Sequence, residues 1–198
     1  MRKLSSLLLI FTCLTLTKCN SQEKKTTYNN KAIELSKTAI EFFMVQNYDS
    51  ALFYLNRAIN VDTTYYVAYS NKCEVYCALK DYKNALIESQ KAVKLKPDFA
   101  EGWTFTGMLY DKLGDTLNAL KCYRKSVEIF DERISNPDKQ KFIQRNKLNR
   151  ALSLILMGQE EVGRNELKKL KESYPGDKSV DGLMNLTKKE YLDQVFSD

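Results

Sequence analysis

Apolar and small residues recur with a helical period from Lys31 onward, and the pattern returns every 34 residues. The small residues of one column in this register are Ala51, Ala85 and Ala119. A helical period that repeats at a fixed interval is typical of stacked helical hairpins, because each hairpin buries its apolar face only against its neighbours. The register predicts hairpins over residues 32–65, 66–99 and 100–133.

The remainder of the chain continues the pattern with an interruption. A fourth hairpin fits residues 144–177 after an insertion of ten residues. Asn136 can cap a helix whose first residue is Pro137, so the first helix of this hairpin is predicted to run from about 137 to 157 and to protrude beyond its neighbours. Apolar residues near helical spacing predict one capping helix over 178–196. The predicted fold class is all-α.

The third hairpin carries the residues of a known repeat. These residues are Trp103, Thr106, Gly107, Tyr110, Ala119, Tyr123 and Ser126, and Pro97 ends the hairpin before it. Their spacing resembles that of the tetratricopeptide repeat. The resemblance implies a right-handed superhelix of about four hairpins, in which the first helix of each hairpin lines a concave face.

The inward residues of such first helices normally meet a ligand, and the resemblance therefore implies a ligand groove. The groove residues are Ile40, Met44, Asn71, Glu74, Thr104, Phe105, Met108 and Asp111. This mixed polar and apolar surface favours a peptide or a partner protein as the ligand. Some family members bind a chaperone's C-terminal carboxylate with Lys, Asn and Arg, but here only Asn71 matches, since Ser36, Ile40, Glu101 and Phe105 occupy the other positions. Asn71 is alternatively a solvated groove residue.

The first residues have the features of a targeting signal. Residues 1–18 have a basic start and an apolar run of about a dozen residues, which is shorter than a membrane-spanning helix. With Cys19 they resemble the signal of bacterial lipoproteins, although Lys18 stands where that family prefers a small residue. The resemblance implies a lipid on Cys19, a tether over 19–30 and a place in the bacterial cell envelope. The alternatives are Cys13 as the acceptor, or an ordinary secretory signal.

The amino-acid composition argues against several classes of functional site. The chain has no histidine, which removes the commonest general base and metal ligand. Without Arg2, Lys3 and Lys18 the 31 basic residues fall to 28 against 25 acidic ones, an excess too small and dispersed for nucleic-acid binding. The cysteines of the repeats, which are Cys73, Cys77 and Cys122, do not form a four-ligand zinc set and are interpreted as buried small side chains. No metal or other cofactor is predicted.

Three functions follow from these features. The first is a membrane-tethered adaptor or scaffold, not an enzyme, that binds a peptide or partner protein on its concave face. The second is an enzyme of envelope metabolism with a Lys or carboxylate site, although the sequence pattern indicates no catalytic nucleophile with a general base beside it. The third is a self-assembling unit whose protruding 137–157 helix makes a contact between copies.

Overall fold

The computed structural model describes residues 27–197, which contain ten α-helices, one 3-10 segment and no β-strand. The helices of the first two hairpins are α1 (Asn30–Met44), α2 (Tyr48–Val61), α3 (Tyr66–Ala78) and α4 (Tyr82–Leu95). Those that follow are α5 (Ala100–Lys112), α6 (Thr116–Ser135), α7 (Ile143–Leu156), α8 (Glu160–Ser173), α9 (Lys178–Met184) and α10 (Lys188–Val195). The all-α prediction is confirmed, while the predictions for Cys19, Cys13 and the signal peptide lie outside the described residues.

The turn inside each hairpin shows the repeat directly. The residues with positive φ are Gln46, Lys80, Gly114 and Gly158, at intervals of 34, 34 and 44. The first two intervals equal the repeat length, and the third contains the ten extra residues. After the first three of these residues, Asn47, Asp81 or Asp115 accepts a hydrogen bond from the backbone N–H three residues on and caps the second helix.

Small residues let the two helices of a hairpin approach closely. Gly107 faces the fully buried ring of Tyr123, and a Cβ at Gly107 would lie 2.5 Å from that ring. Gly163 meets α7 in the same way, since its Cβ would lie 2.7 Å from the backbone oxygen of Ala151. The small residues of the sequence pattern therefore stand where a larger side chain has no room.

The helices form two layers. Helix α1 contacts α3, and α5 contacts α7, so the first helices of the hairpins lie side by side. The second helices α2, α4 and α6 each pack between the helices of their own hairpin and the next. The surface of α1, α3, α5 and α7 is called the inner face below. Within residues 27–197, each helix is too short or too polar to span a lipid bilayer.

The inserted residues are predicted to lengthen the first helix of the fourth hairpin, and they do not. Helix α6 continues for 20 residues because Ile129, Phe130 and Ile134 extend its apolar stripe against Ala100 and Trp103. Residues Pro137–Phe142 then form a 3-10 segment, in which the Asp138 N–H donates to the Asn136 side chain. The prediction of one helix from about 137 to 157 is therefore wrong. Helix α7 has 14 residues and does not protrude as a longer helix. The protruding helix on which the predicted contact between copies depends is therefore not formed.

The capping segment is also divided. Residues 178–196 form α9 and α10 instead of one helix, with a break at Asn185–Thr187. The break arises because Thr187 and Glu190 make a capping box that starts α10 anew. Arg164 of α8 donates to the carbonyl oxygens of Met184 and Leu186 at 2.7 and 3.2 Å, so the break is held against the last hairpin.

Candidate functional site

The first half of the inner face is open. Ile40 and Met44 on α1 are 38% and 70% exposed, although both carry large apolar side chains. Val45 and Leu79 are exposed at equivalent positions of the first two hairpins, 34 residues apart. Apolar groups that recur at one edge of a stacked layer favour binding of an apolar partner segment.

Asn71 takes part in a contact between helices. Its side-chain amide donates to the Ser36 hydroxyl at 2.9 Å and so joins α3 to α1. One of its two N–H donors is therefore used within the protein, and the side chain is partly buried. The bond fixes the spacing between the two helices that carry the exposed apolar residues.

Glu74 lies on α3 beside a small cavity. The cavity has a volume of about 10 Å³ and is lined in part by Ser70, Ser89 and Phe105. The carboxylate makes no hydrogen bond or ion pair with any described residue, and burial raises its pKa to about 7. Near neutral pH this carboxyl changes charge readily, and a cation brought by a ligand would favour its ionised form.

Two of the predicted groove residues on α5 do not reach the surface. Met108 is 1% exposed, and Thr104 is 4% exposed. The Thr104 hydroxyl lies 2.6 Å from the Ser126 hydroxyl and 2.9 Å from that of Ser153, in a buried cluster between α5, α6 and α7. The prediction that both residues meet a ligand is wrong, because the fourth hairpin packs over this part of α5.

The other two predicted residues on α5 are covered by the C-terminal segment. The Asp111 carboxylate forms an ion pair with Lys188 of α10 at 2.7 Å and accepts a hydrogen bond from the Tyr123 hydroxyl, also at 2.7 Å. Burial, reinforced by this bond to Asp111, raises the pKa of Tyr123 strongly. The ring of Phe105 lies 6.3 Å from that of Phe196, between their centroids. Neither residue is a free groove residue.

The surroundings of Glu101 do not fit the binding of a partner's C-terminal carboxylate. Its buried carboxylate receives two hydrogen bonds from one nitrogen of Arg133, at 2.9 and 3.0 Å. The second terminal nitrogen of Arg133, Nη2, donates to the Asp98 carbonyl oxygen at 2.5 Å. An acidic group therefore stands where a clamp for a C-terminal carboxylate needs a donor.

The cysteines of the repeats lie in the packed layers. Cys73 and Cys122 are buried, Cys77 is partly buried, and all three are free thiols. Burial raises the pKa of Cys122 to about 11 and also raises that of Cys73, which makes both thiols weakly nucleophilic. Among the described residues, no group of three or more Cys, Asp or Glu side chains could hold a metal ion.

Several contacts of the inner face could not be found from the sequence. The pairs Glu101 with Arg133 and Asp111 with Lys188 join residues far apart in the chain. Helical periodicity reports which residues share a face of one helix, and it does not report which distant helix lies against that face. The capping box of Thr187 and Glu190 is a local signal that would have located the start of α10.

Comparison with known sequences identifies the repeat. Residues 100–132 match the family model of the tetratricopeptide repeat. The heat shock protein sti1 homolog of Schizosaccharomyces pombe is 34% identical over 97 residues, which are 49% of this chain and 16% of that protein. The Hsp70-Hsp90 organizing protein of Triticum aestivum is 30% identical over 87 residues, 44% of this chain and 15% of that protein. The matched parts thus span about a sixth of the length of these relatives.

Comparison with solved structures gives the same architecture. The crystal structure of PilW, a widely conserved type IV pilus biogenesis factor, superposes with a TM-score of 0.60. The superposition covers 85% of this chain and 77% of that chain, at 20% sequence identity. At this level of identity the similarity concerns the fold, an all-α solenoid of helical hairpins.

Proposed function

We propose that this chain, a tetratricopeptide repeat protein, is an adaptor that binds a peptide or helix of a partner protein on the open half of its inner face. The observation that carries the proposal is the exposure of Ile40 and Met44 on the layer of first helices. The similarity to part of an Hsp70-Hsp90 organizing protein supports a role in bringing proteins together. The proposal is of a binding protein and not of an enzyme.

The proposed ligand is a segment with apolar side chains and a cationic group. Ile40, Met44 and Leu79 supply the apolar contacts. Glu74, a carboxylate without a cation of its own among the described residues, supplies the polar one. Removal of exposed apolar surface from water drives such binding, and a lysine or arginine at Glu74 fixes the orientation of the segment.

Met44→Glu is expected to reduce recovery of the partner at least about tenfold, because a charge would replace an apolar contact. The measurement is quantitative co-purification of the tagged full chain from its own cells. Leu117→Glu is the matched control, since Leu117 is 76% exposed but lies at the start of α6, away from the inner face. If both variants recover the same proteins in the same amounts as the unaltered chain, the proposal is wrong.

We further propose that Cys19 carries a lipid and that residues 19–30 tether the repeats to a membrane of the bacterial envelope. The support is the polarity change at this cysteine, with an apolar run before it and polar residues after it. Mass spectrometry of the native protein is expected to find an N-terminal acylated Cys19. Cys19→Ser should release the protein from membranes, whereas Cys13→Ser should not. An unmodified chain that begins elsewhere would refute the tether and leave the adaptor role intact.

A further inference from the structure

Helix α10 lies on the second half of the inner face as an amphipathic helix. The apolar side chains that it turns toward the protein are Tyr191, Leu192, Val195 and Phe196, which follows α10. Tyr191 and Phe196 are buried, whereas Lys189, Asp193 and Gln194 remain exposed on the opposite side. The spacing of these two sets is that of a helix which seats one apolar face in a groove.

The contacts of this segment include two residues that the repeat pattern assigns to a ligand, Phe105 and Asp111, and also Tyr82 of α4 beside them. Phe196 packs edge-on against Tyr82 at 5.3 Å and lies near Phe105. The Lys112 ammonium stands 5.7 Å from the centre of the Phe196 ring. Lys188 pairs with Asp111 through an ion pair in which the carboxylate is almost fully buried. The segment therefore combines apolar anchors with one directed charge pair.

The attachment of α10 differs from that of the hairpin helices. The two helices of each hairpin pack closely along their length, whereas α10 approaches no other described helix in that way and is held by side chains. An isolated helix of eight residues has little stability of its own. Its local opening therefore costs much less free energy than unfolding of the repeats.

We propose that the surface under α10, formed by Phe105, Asp111 and Lys112 of α5 with Tyr82 of α4, is a binding site for an amphipathic helix of a partner protein, and that α10 occupies this site until the partner helix replaces it. The inference rests on the proposed adaptor function, because the covered surface continues the open half of the same inner face. The partner helix carries an aromatic and aliphatic face, with a lysine three residues before its first aromatic residue, as Lys188 precedes Tyr191 in α10.

Exchange is tested with a fluorescent peptide of residues 186–197, whose binding to the full chain is followed by fluorescence anisotropy. The protein that receives the peptide, called the host, is the full chain with Lys188→Glu and Phe196→Ala. The first substitution places a second carboxylate beside that of Asp111, and the second removes the aromatic anchor of the host's own α10. This host is expected to bind the peptide at least about tenfold more tightly than the unaltered chain. Lys189→Glu is the matched control, because Lys189 is exposed and its ion pair among the described residues is with Asp193 on α10 itself, and it should leave the affinity unchanged.

A charge reversal tests the position of the peptide. The host should prefer the native peptide over a peptide with Lys188→Glu by about tenfold. A second host with Asp111→Lys and Phe196→Ala, in which Lys188 is kept and faces a like charge, should reverse that preference, which a merely loosened fold would not do. In the unaltered chain, saturating peptide should also remove the hydrogen-exchange protection of the α10 amides.

Three results overturn the inference. One is equal or absent peptide binding by the altered host and the control. Another is loss of the helical circular dichroism signal in the altered host, since α10 would then be part of the core. The third is a doubled solution mass without peptide, which would make a second copy the occupant. Because the Met44→Glu test does not involve α10, failure of this inference is distinguishable from failure of the adaptor proposal.

Discussion

Arg133→Met is expected to lower the free energy of unfolding by about 3 kcal/mol, because it leaves the buried Glu101 carboxylate without a counter-charge. The Glu101 side chain is only 7% exposed, so water cannot replace the two hydrogen bonds that Arg133 donates. The variant also leaves the Asp98 carbonyl oxygen without this donor. Urea denaturation at neutral pH, followed by circular dichroism, measures the loss.

Two further variants isolate the cause of this loss. Arg124→Met changes an exposed arginine on the same helix and should alter stability by no more than about 0.5 kcal/mol. The double variant Glu101→Met with Arg133→Met removes both charges and should return to within about 1 kcal/mol of the unaltered chain. An Arg133→Met protein as stable as Arg124→Met would show that the ion pair does not stabilise the third hairpin.

Glu74→Gln is expected to make the protein more stable at pH 8 and to remove part of its pH dependence. The folded-state pKa of Glu74 is about 7, raised by burial above an ordinary value of 4.5. The folded protein therefore retains a proton that the unfolded chain releases between these two values. This favourable contribution is complete below pH 4.5 and is lost as the pH rises through 7, by roughly 3 kcal/mol in total.

The measurement compares the unfolding free energies of both proteins from pH 5 to pH 8. The difference between Glu74→Gln and the unaltered chain should grow in favour of the variant across this range. Glu172→Gln is the control for the substitution itself, because the Glu172 side chain on α8 is exposed. A constant difference for Glu74→Gln would mean that Glu74 is not a desolvated group, and would remove the basis for a cationic group in the ligand.

The hairpins could be predicted from the sequence because the information is local. Ala51, Ala85 and Ala119 share one slot, and each is fully buried where two helices meet. The 34-residue register follows from such slots, since a small residue is required wherever the backbones approach. The turns keep the same register through the positive φ at Gln46 and Lys80, although neither residue type signals that conformation.

The state of the inner face could not be predicted, because it depends on distant segments. Met108 occupies the same repeat position as Ile40, yet it is buried while Ile40 is exposed. The difference arises from the fourth hairpin and from α10, which cover α5 but not α1. A pattern within one repeat assigns a residue to a face of its helix, and only the packing of the later segments decides whether that face remains accessible.

Site-specific photocrosslinking in living cells tests the division of the inner face into an open and a covered half most directly. A photoreactive residue is placed at position 44, 105 or 117 of the full chain, and the products are identified by mass spectrometry. We expect a discrete adduct with a partner protein from position 44, intramolecular products with the α10 segment from position 105, and no specific adduct from position 117. Partner adducts of equal yield from positions 44 and 117, with no product between position 105 and α10, would contradict this account.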